Sequence, residues 1–257
     1  MLGNSEILHV ETVDSTNSLV KKLIQENSQR ARDGLVVVAD AQTAGRGRLT
    51  GRTWISPPKA GLLCSIAIPT HRYPCPGTQP LPLVVGIILA RTIESLCTKQ
   101  NLSVQVELKW PNDLYVQGRK LSGILIETEG DYSIIGIGIN LNTEEFPPEL
   151  RHKATSLKIL TGRDWDSSQV LAELLRMMDE TLHHWQQTSG PAWDSLLGEY
   201  RRRDFLKGKK LSLLVGSQAT QKPVSVMAQG IADDGALMVC DPEGVSSKIY
   251  SGEISLD

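Results

Sequence analysis

Lys109-Trp-Pro-Asn-Asp-Leu-Tyr-Val-Gln-Gly-Arg-Lys-Leu-Ser-Gly-Ile-Leu-Ile-Glu127, followed by Tyr132-Ser-Ile-Ile-Gly-Ile-Gly-Ile-Asn-Leu141, is the stretch whose reading decides the fold. Val104 to Trp110 has strand composition, and Pro111, which has no N–H for a ladder, ends it. Gln117 and Gly118 make a turn, Ser122 to Glu127 is a second strand, and Tyr132 to Leu141 a third. Strands this close together form hairpins, so a mixed rather than purely parallel sheet is expected.

Upstream, Ile7 to Val10 reads as a short strand. Ser15 or Thr16 can cap a helix carrying Leu19, Val20, Leu23 and Ile24 at helical spacing. Leu35 to Ala39 and Leu62 to Pro69 are strands that hold a Gly/Arg-rich loop, Ala44 to Arg52, between them. Pro74 to Pro82 is a Pro-rich connection, and Leu83 to Cys97 has the long apolar pattern of a buried helix. Downstream, Ser167 to Trp185 is amphipathic, with Ser168 near its start and Val170, Leu171, Leu174, Leu175, Met178 and Leu182 on the face expected to pack on the sheet. Arg201, Arg202 and Arg203 read as a helix end, complementing its dipole or solvated, in preference to a nucleic-acid patch. Beyond them come short strands at Lys210 to Val215, Val224 to Ile231, Ala236 to Cys240 and Lys248 to Tyr250, the pattern of a small β-barrel. The expected fold is α+β: a mixed sheet packed with helices over residues 1–204 and a small barrel over 205–257.

At 257 residues, 40% of them hydrophobic, the chain is long enough for a substantial core. A net charge of −2 gives no global positive field for nonspecific nucleic-acid binding. Cys64, Cys75, Cys97 and Cys240 form no C-x-x-C pair, so neither a zinc knuckle nor a redox dithiol is suggested. Glu6, His9 and Glu11 interrupt the N-terminal apolar residues, which argues against a signal peptide, and no run reaches the roughly 20 apolar residues of a membrane span. A cytoplasmic location is the expectation.

Four segments carry candidate chemistry. Gln42-Thr-Ala-Gly-Arg-Gly-Arg-Leu-Thr-Gly-Arg-Thr-Trp54 clusters Arg46, Arg48 and Arg52 among glycines that permit close backbone approach, an arrangement suited to anions. It is neither a Walker A loop nor a dinucleotide fingerprint, and its plain alternative is a surface turn with solvated arginines. In Lys109-Trp-Pro-Asn-Asp113 and Arg119-Lys120, Asp113 and Lys120 flank a turn and can converge across a hairpin. Asp113 suits Mg²⁺, Lys120 a carboxylate or phosphate oxygen, and the plain alternative is a surface salt bridge. Gly136 and Gly138 leave one strand face bare, for a flat ligand or for a neighbouring helix. Asp14-Ser-Thr-Asn17 offers hydroxyls and an amide to a polar ligand, or a helix cap, or both.

Together, in this order, these segments and the final Gly252-Glu-Ile-Ser-Leu256 resemble the biotin protein ligase family over nearly the whole chain. The resemblance implies a catalytic domain of the biotin/lipoate ligase type with a C-terminal SH3-like barrel, and biotin, ATP and Mg²⁺ as substrates and metal. By carry-over, Ser15, Thr16, Asn17, Gln42, Arg46 and Gly47 line a biotin pocket, and Lys120 and Arg48 meet the carboxylate and phosphate. Arg48, Arg52, Trp54, Asn112, Asp113, Lys120 and Asn140 face the nucleotide, with Gly123, Gly136 and Gly138 giving room. Lys120, Arg48 and Asp113 are the expected catalytic residues. Thr50 looks like a one-residue insertion, between Arg48 and Arg52, relative to some members. The implied acceptor is the biotin carboxyl carrier domain of acetyl-CoA carboxylase. Alternatives are a lipoate or octanoate ligase of similar fold, a biotin-responsive regulator, and an adenylate binder without transfer activity. With the ligand motif starting at Asp14, no preceding DNA-binding domain and no DNA partner are expected, while an exposed sheet edge could serve a homodimer or the carrier.

Overall fold

The computed structural model describes residues 2, 5–31, 34–49, 51–70, 80–188, 190–214 and 223–256. Its larger sheet contains β1 (Glu6–Val13), β2 (Leu35–Gln42), β3 (Gly61–Pro69), β4 (Glu107–Lys109), β5 (Asp113–Val116), β6 (Arg119–Glu129) and β7 (Tyr132–Asn140). The spatial order is β1-β2-β3-β7-β6-β5-β4. β1 and β2 run parallel through helix α1 (Thr16–Glu26), whereas β2–β3, β3–β7 and the β7–β6–β5–β4 run pair antiparallel, giving the mixed order expected from hairpin spacing.

Side chains alternate between the two sheet faces, and each face has its own helical cover. Leu35 and Val37 of β2, Ala67 of β3 and Ile134 of β7 meet Val20, Leu23 and Ile24 of α1. The opposite set, Val36, Leu62, Cys64, Ile66, Ile135, Ile137 and Ile139, enters the main core with α2 (Pro80–Lys99), α4 (Ser167–Thr188) and α5 (Gly190–Arg202). Each of these isoleucines contributes roughly 2 kcal/mol by burial. The short helix α3 (Leu157–Thr161) is capped by Ser156, whose hydroxyl accepts from the Ile159 N–H at 3.1 Å. Ser15 holds the N-cap position of α1 without a side-chain cap hydrogen bond, unlike the expected cap.

Several boundaries differ from the sequence reading for physical reasons. The strand expected over Val104 to Trp110 is only Glu107–Lys109, because the Val106 N–H donates to Glu94 (3.0 Å) and not to a ladder. β5 is an additional strand. α2 is longer than expected, and the part of the Pro-rich connection over 71–79 lies outside the described residues, as do Thr50, Cys75 and Val215. Leu81–Lys99 is in fact long and apolar enough to cross a membrane, but about two-thirds of it is buried inside the protein. α4 packs on α2 as well as on β3.

A second, five-stranded antiparallel sheet contains β8 (Lys210–Leu214), β9 (Val224–Ile231), β10 (Leu237–Cys240), β11 (Ser246–Ile249) and β12 (Glu253–Leu256), in the order β11-β10-β9-β8-β12. It is the C-terminal sheet expected of a small β domain, with β12 added. Of the three arginines before it, Arg203 is largely withdrawn from solvent, whereas Arg201 stays exposed in the last turn of α5 as expected, with partners besides. Arg203 pairs with Glu94 (2.6 Å) and Glu199 (3.0 Å), and Arg201 pairs with Asp233 (2.7 Å) and the Ile231 carbonyl (2.9 Å). Tyr115 stacks on Phe205 at 4.6 Å, and Trp110 Nε1 donates to the Gly235 carbonyl at 3.0 Å. These contacts fix the second sheet beside β4 and β5, where the candidate site lies.

Candidate active site

The site continues the α1 face of the sheet beyond the N-terminus of that helix. Along β7 the face reads Ile134, Gly136, Gly138, and along β6 Glu127, Leu125, Gly123, with Gly123 opposite Gly138 and Leu125 opposite Gly136. The glycines are there because other groups need the space. A Cβ at Gly136 would stand 2.4 Å from Asn17 Oδ1, and one at Gly138 2.5 Å from the Trp54 indole. Both readings of the glycine strand are realised: the first turn of α1 packs on one glycine, and an aromatic ring lies flat over the other.

The groove on this floor brings together most residues expected from the sequence. Ser15, Thr16, Asn17, Gln42, Arg46 and Gly47 line one end, and Arg48, Trp54, Asn112, Asp113 and Lys120 the other, with Gly123, Gly136 and Gly138 beneath. At the polar end the Thr16 N–H donates to Gln42 Oε1 at 2.8 Å. Asn17 Nδ2 donates to Glu127 at 2.7 Å and Arg46 to the same carboxylate oxygen at 2.9 Å, so Glu127 organises two pocket residues. At the other end Lys120 Nζ lies 2.7 Å from Asp113 Oδ1. The two are not direct cross-strand partners. A register irregularity between Leu114 and Tyr115 lets Lys120 lean back toward Asp113. Asn112 donates to the Ile124 carbonyl at 2.7 Å, which leaves its side-chain oxygen free of that bond.

The cations extend into the second sheet. Arg48 donates to the Gly252 carbonyl at 2.5 Å, Arg52 pairs with Glu253, and Lys109 Nζ lies 3.3 Å from the Ile254 carbonyl. Burial pushes the Arg48 and Lys109 pKa values down, and for both Asp113 acts in the opposite sense. Cations that have already lost water are well suited to an anionic ligand, because less desolvation remains to be done on binding.

Two expected residues stand apart. Arg52 is exposed and does not line the groove, and Asn140 is buried with its Nδ2 donating to the Thr155 carbonyl at 3.0 Å. Sequence reading missed Ser65, Glu127, Lys109 as a buried cation, and the Gly252–Ile254 contacts. Only Ser65 had a local sign, a lone hydroxyl in an otherwise apolar strand, which requires a buried partner. Among the described residues no cluster of three His, Cys, Asp or Glu could hold a metal by itself. The single carboxylate of Asp113, beside Asn112, fits Mg²⁺ delivered with a polyphosphate and not a metal cage.

With Trp54 over Gly138, the groove retains only ≈ 70 Å³ of free volume. Ligand pockets are typically several hundred Å³, so a sizeable ligand requires the indole to move. A glycine-floored groove with directed hydrogen-bonding groups at one end and the cations Arg48 and Lys120 at the other suits a small ligand that is polar at one end and anionic at the other. The sequence matches the family model described as biotin/lipoate A/B protein ligase over residues 10–142, and that of the biotin protein ligase C-terminal domain over 218–257. The bifunctional ligase/repressor of Bacillus spizizenii is 32% identical over 97% of this chain and 74% of its own length. The biotin–[acetyl-CoA-carboxylase] ligase of Mycobacterium tuberculosis is 30% identical over 86% and 79%. The biotin protein ligase of Aquifex aeolicus, solved with biotin and ATP, superposes with a TM-score of 0.81 at 32% identity, covering 98% of both chains. The chain therefore belongs to the biotin protein ligases, within the biotin/lipoate A/B protein ligase family.

Proposed function

We propose that this chain activates biotin with ATP to biotinyl-5′-AMP and pyrophosphate, and then transfers the biotinyl group to a lysine of a biotin carboxyl carrier domain. The observation that carries the reading is the groove itself, with directed polar groups at Thr16 and Gln42 and the cations Lys120 and Arg48 at the far end. A ureido ring satisfies the first and a carboxylate or phosphate the second. A lipoyl or octanoyl chain, the second reading within the family, offers nothing to the polar end. We further propose that residues 1–204 form the catalytic domain and 205–257 the C-terminal domain, and that the reaction is cytoplasmic without direct DNA binding. The exposed edge of β1 is a candidate for homodimer or carrier contact.

The chemistry follows from leaving groups. A carboxylate oxygen of biotin attacks the α-phosphorus of ATP, the bond to the bridging oxygen breaks, and pyrophosphate leaves. The carrier lysine then attacks the acyl carbon as a free amine, AMP departs, and the nitrogen gives up a proton. No protein nucleophile is required. Lys120 and Arg48 draw two anions together and hold the charge on the transferring phosphate. Asp113, with Asn112, would hold the Mg²⁺ of the nucleotide, which supplies charge neutralisation on the departing pyrophosphate. The Gly/Arg loop, bearing Arg48 and Trp54, covers the adenylate and excludes water.

Biotin-dependent exchange of labelled pyrophosphate into ATP tests this, with lipoate and octanoate as parallel acids. Exchange with biotin alone is expected. Exchange confined to the fatty acids, or absent with all three, would overturn the reading.

A further inference from the structure

Behind the polar end of the groove stand Ser65, fully buried on β3, and Glu127 on β6, neither of which lines the groove. Their hydrogen bonds have a direction that can be worked out from chemistry alone. Glu127 Oε2 receives Arg46 at 2.9 Å and Asn17 Nδ2 at 2.7 Å, and a carboxylate paired with a guanidinium only accepts. The Asn17 NH₂ therefore faces Glu127, and its Oδ1 faces Ser65 Oγ at 2.6 Å. An amide oxygen only accepts, so the single hydroxyl hydrogen of Ser65 is committed to Asn17.

Ser65 Oγ also lies 2.7 Å from Thr16 Oγ1. With its own hydrogen spent, Ser65 must accept that of Thr16, which turns the Thr16 hydrogen away from the groove. The Gln42 amide is fixed independently, because the Thr16 backbone N–H at 2.8 Å can only donate and so demands Oε1. Gln42 Oε1, 3.1 Å from Thr16 Oγ1, is a second acceptor within reach of the Thr16 hydrogen, but the 2.7 Å contact with Ser65 is the shorter and needs a hydrogen between its two oxygens; with the hydrogen placed there, Thr16 Oγ1 and Gln42 Oε1 face the groove as two acceptors. Such a pair requires a donor from the ligand and repels a ligand acceptor. Gly136 is what lets Asn17 reach into the chain, since any Cβ there would displace its amide.

We propose that Glu127, Asn17 and Ser65 form a one-way hydrogen-bond chain that holds the Thr16 hydroxyl as an acceptor, making the pocket selective for a ring N–H over an isosteric ring oxygen. The proposal rests on the biotin reading above and adds what sets its head-group specificity. Ser65 and Glu127 are positioning residues that act through Asn17 and Thr16. The relevant ligand class is the cyclic urea, discriminated from the cyclic carbamate of the same shape.

The test uses the full chain as wild type and as Ser65→Ala, Glu127→Ala and Glu127→Gln. The ligands are biotin and the two cyclic carbamates in which one or the other ring N–H is replaced by oxygen. Binding is read by titration calorimetry, KM and kcat by pyrophosphate exchange, and folding by Tm. Wild type should prefer biotin over the worse carbamate by on the order of a hundredfold, the range for a site whose buried polar groups lose their partner. Ser65→Ala should cut that preference by about tenfold or more, raising KM for biotin without matching loss of kcat. Glu127→Ala should move the same way, and Glu127→Gln, whose amide oxygen can take both hydrogen bonds, should retain the preference. Equal weakening of urea and carbamate in Ser65→Ala would mean a merely structural role and would overturn the chain. So would loss of preference in Glu127→Gln. Wild-type protein that binds none of the three ligands would instead sink the biotin reading itself.

Discussion

Replacing Gly138 with alanine places a methyl carbon where the Trp54 ring now lies. The new Cβ would be 2.5 Å from Cε2 and 2.7 Å from Cζ2, whereas carbon atoms rest at about 3.5–4.0 Å. The ring must recede by roughly 1 Å, and because it lies flat on the floor it can only lift out. Uncovering about 100 Å² of indole costs about 2.5 kcal/mol. Losing the Lys120 ammonium 5.6 Å from the ring centre adds about 0.5 kcal/mol. Against this, Trp54 Nε1 is buried without a partner and regains about 1 kcal/mol on reaching water. The net expectation is a destabilisation of about 2 kcal/mol. Urea unfolding of wild type, Gly138→Ala, Trp54→Ala and the double variant isolates the effect. In the Trp54→Ala background the glycine substitution should cost under about 0.5 kcal/mol. An undiminished cost there would refute the ring-displacement argument.

Arg48→Ala and Lys120→Ala should each lower pyrophosphate exchange by on the order of a hundredfold, since each removes a charge contact to the transferring phosphate; full activity in either would remove that residue from the site. Arg203→Ala leaves Glu94 without its cation while Glu199 keeps Arg91 at 2.6 Å, and should cost about 2 kcal/mol in chemical denaturation; a cost under about 0.5 kcal/mol would show the network to be solvent-compensated. Hydrogen bonding from Arg176 foremost, then from Ser95 and Lys99, holds the Glu173 carboxyl down from 4.5 to about 2. A depressed carboxyl stabilises the fold above its unfolded value and loses that contribution as pH falls through the folded one, so the Tm difference between wild type and Glu173→Gln should shrink between pH 4.5 and 2. A constant difference over that range would show that Glu173 does not titrate as the structure implies.

Where hydrophobic period and turn chemistry agree, the sequence predicted the structure closely: β2, β3, β7, β9 and the helix of α4 all lie within a few residues of expectation. β5 was hidden because Pro111, Asn112 and Asp113 read as breakers in front of a strand only four residues long. α5 was hidden as a separate helix because it starts at Gly190-Pro191 and carries Gly198 within. The groove was legible to the extent that it is built from contiguous motifs. Ser65, Glu127 and Gly252–Ile254 act through partners distant in the chain, and periodicity carries no information about such pairs. Asn140, at the end of a motif strand, has its amide donating to the Thr155 carbonyl of a neighbouring loop, another partner that periodicity does not reveal.

The carbonyls and carboxylate that meet Arg48, Arg52 and Lys109 all come from Gly252 and the first two residues of β12. Arg48 and its partner Gly252 are separated by 204 positions and Arg52 and Glu253 by 201. At the usual pace of a ribosome, about 5–20 residues per second, roughly 10–40 s pass between making the first member of each pair and the last. During that interval the sheet can already be paired, with Arg46 held by Glu127, while Arg48 and Arg52 lack these partners. The contacts of Arg48 and Arg52 with this segment therefore form only after Gly252 and Glu253 have been made, later than the pairing of the sheet beneath the loop.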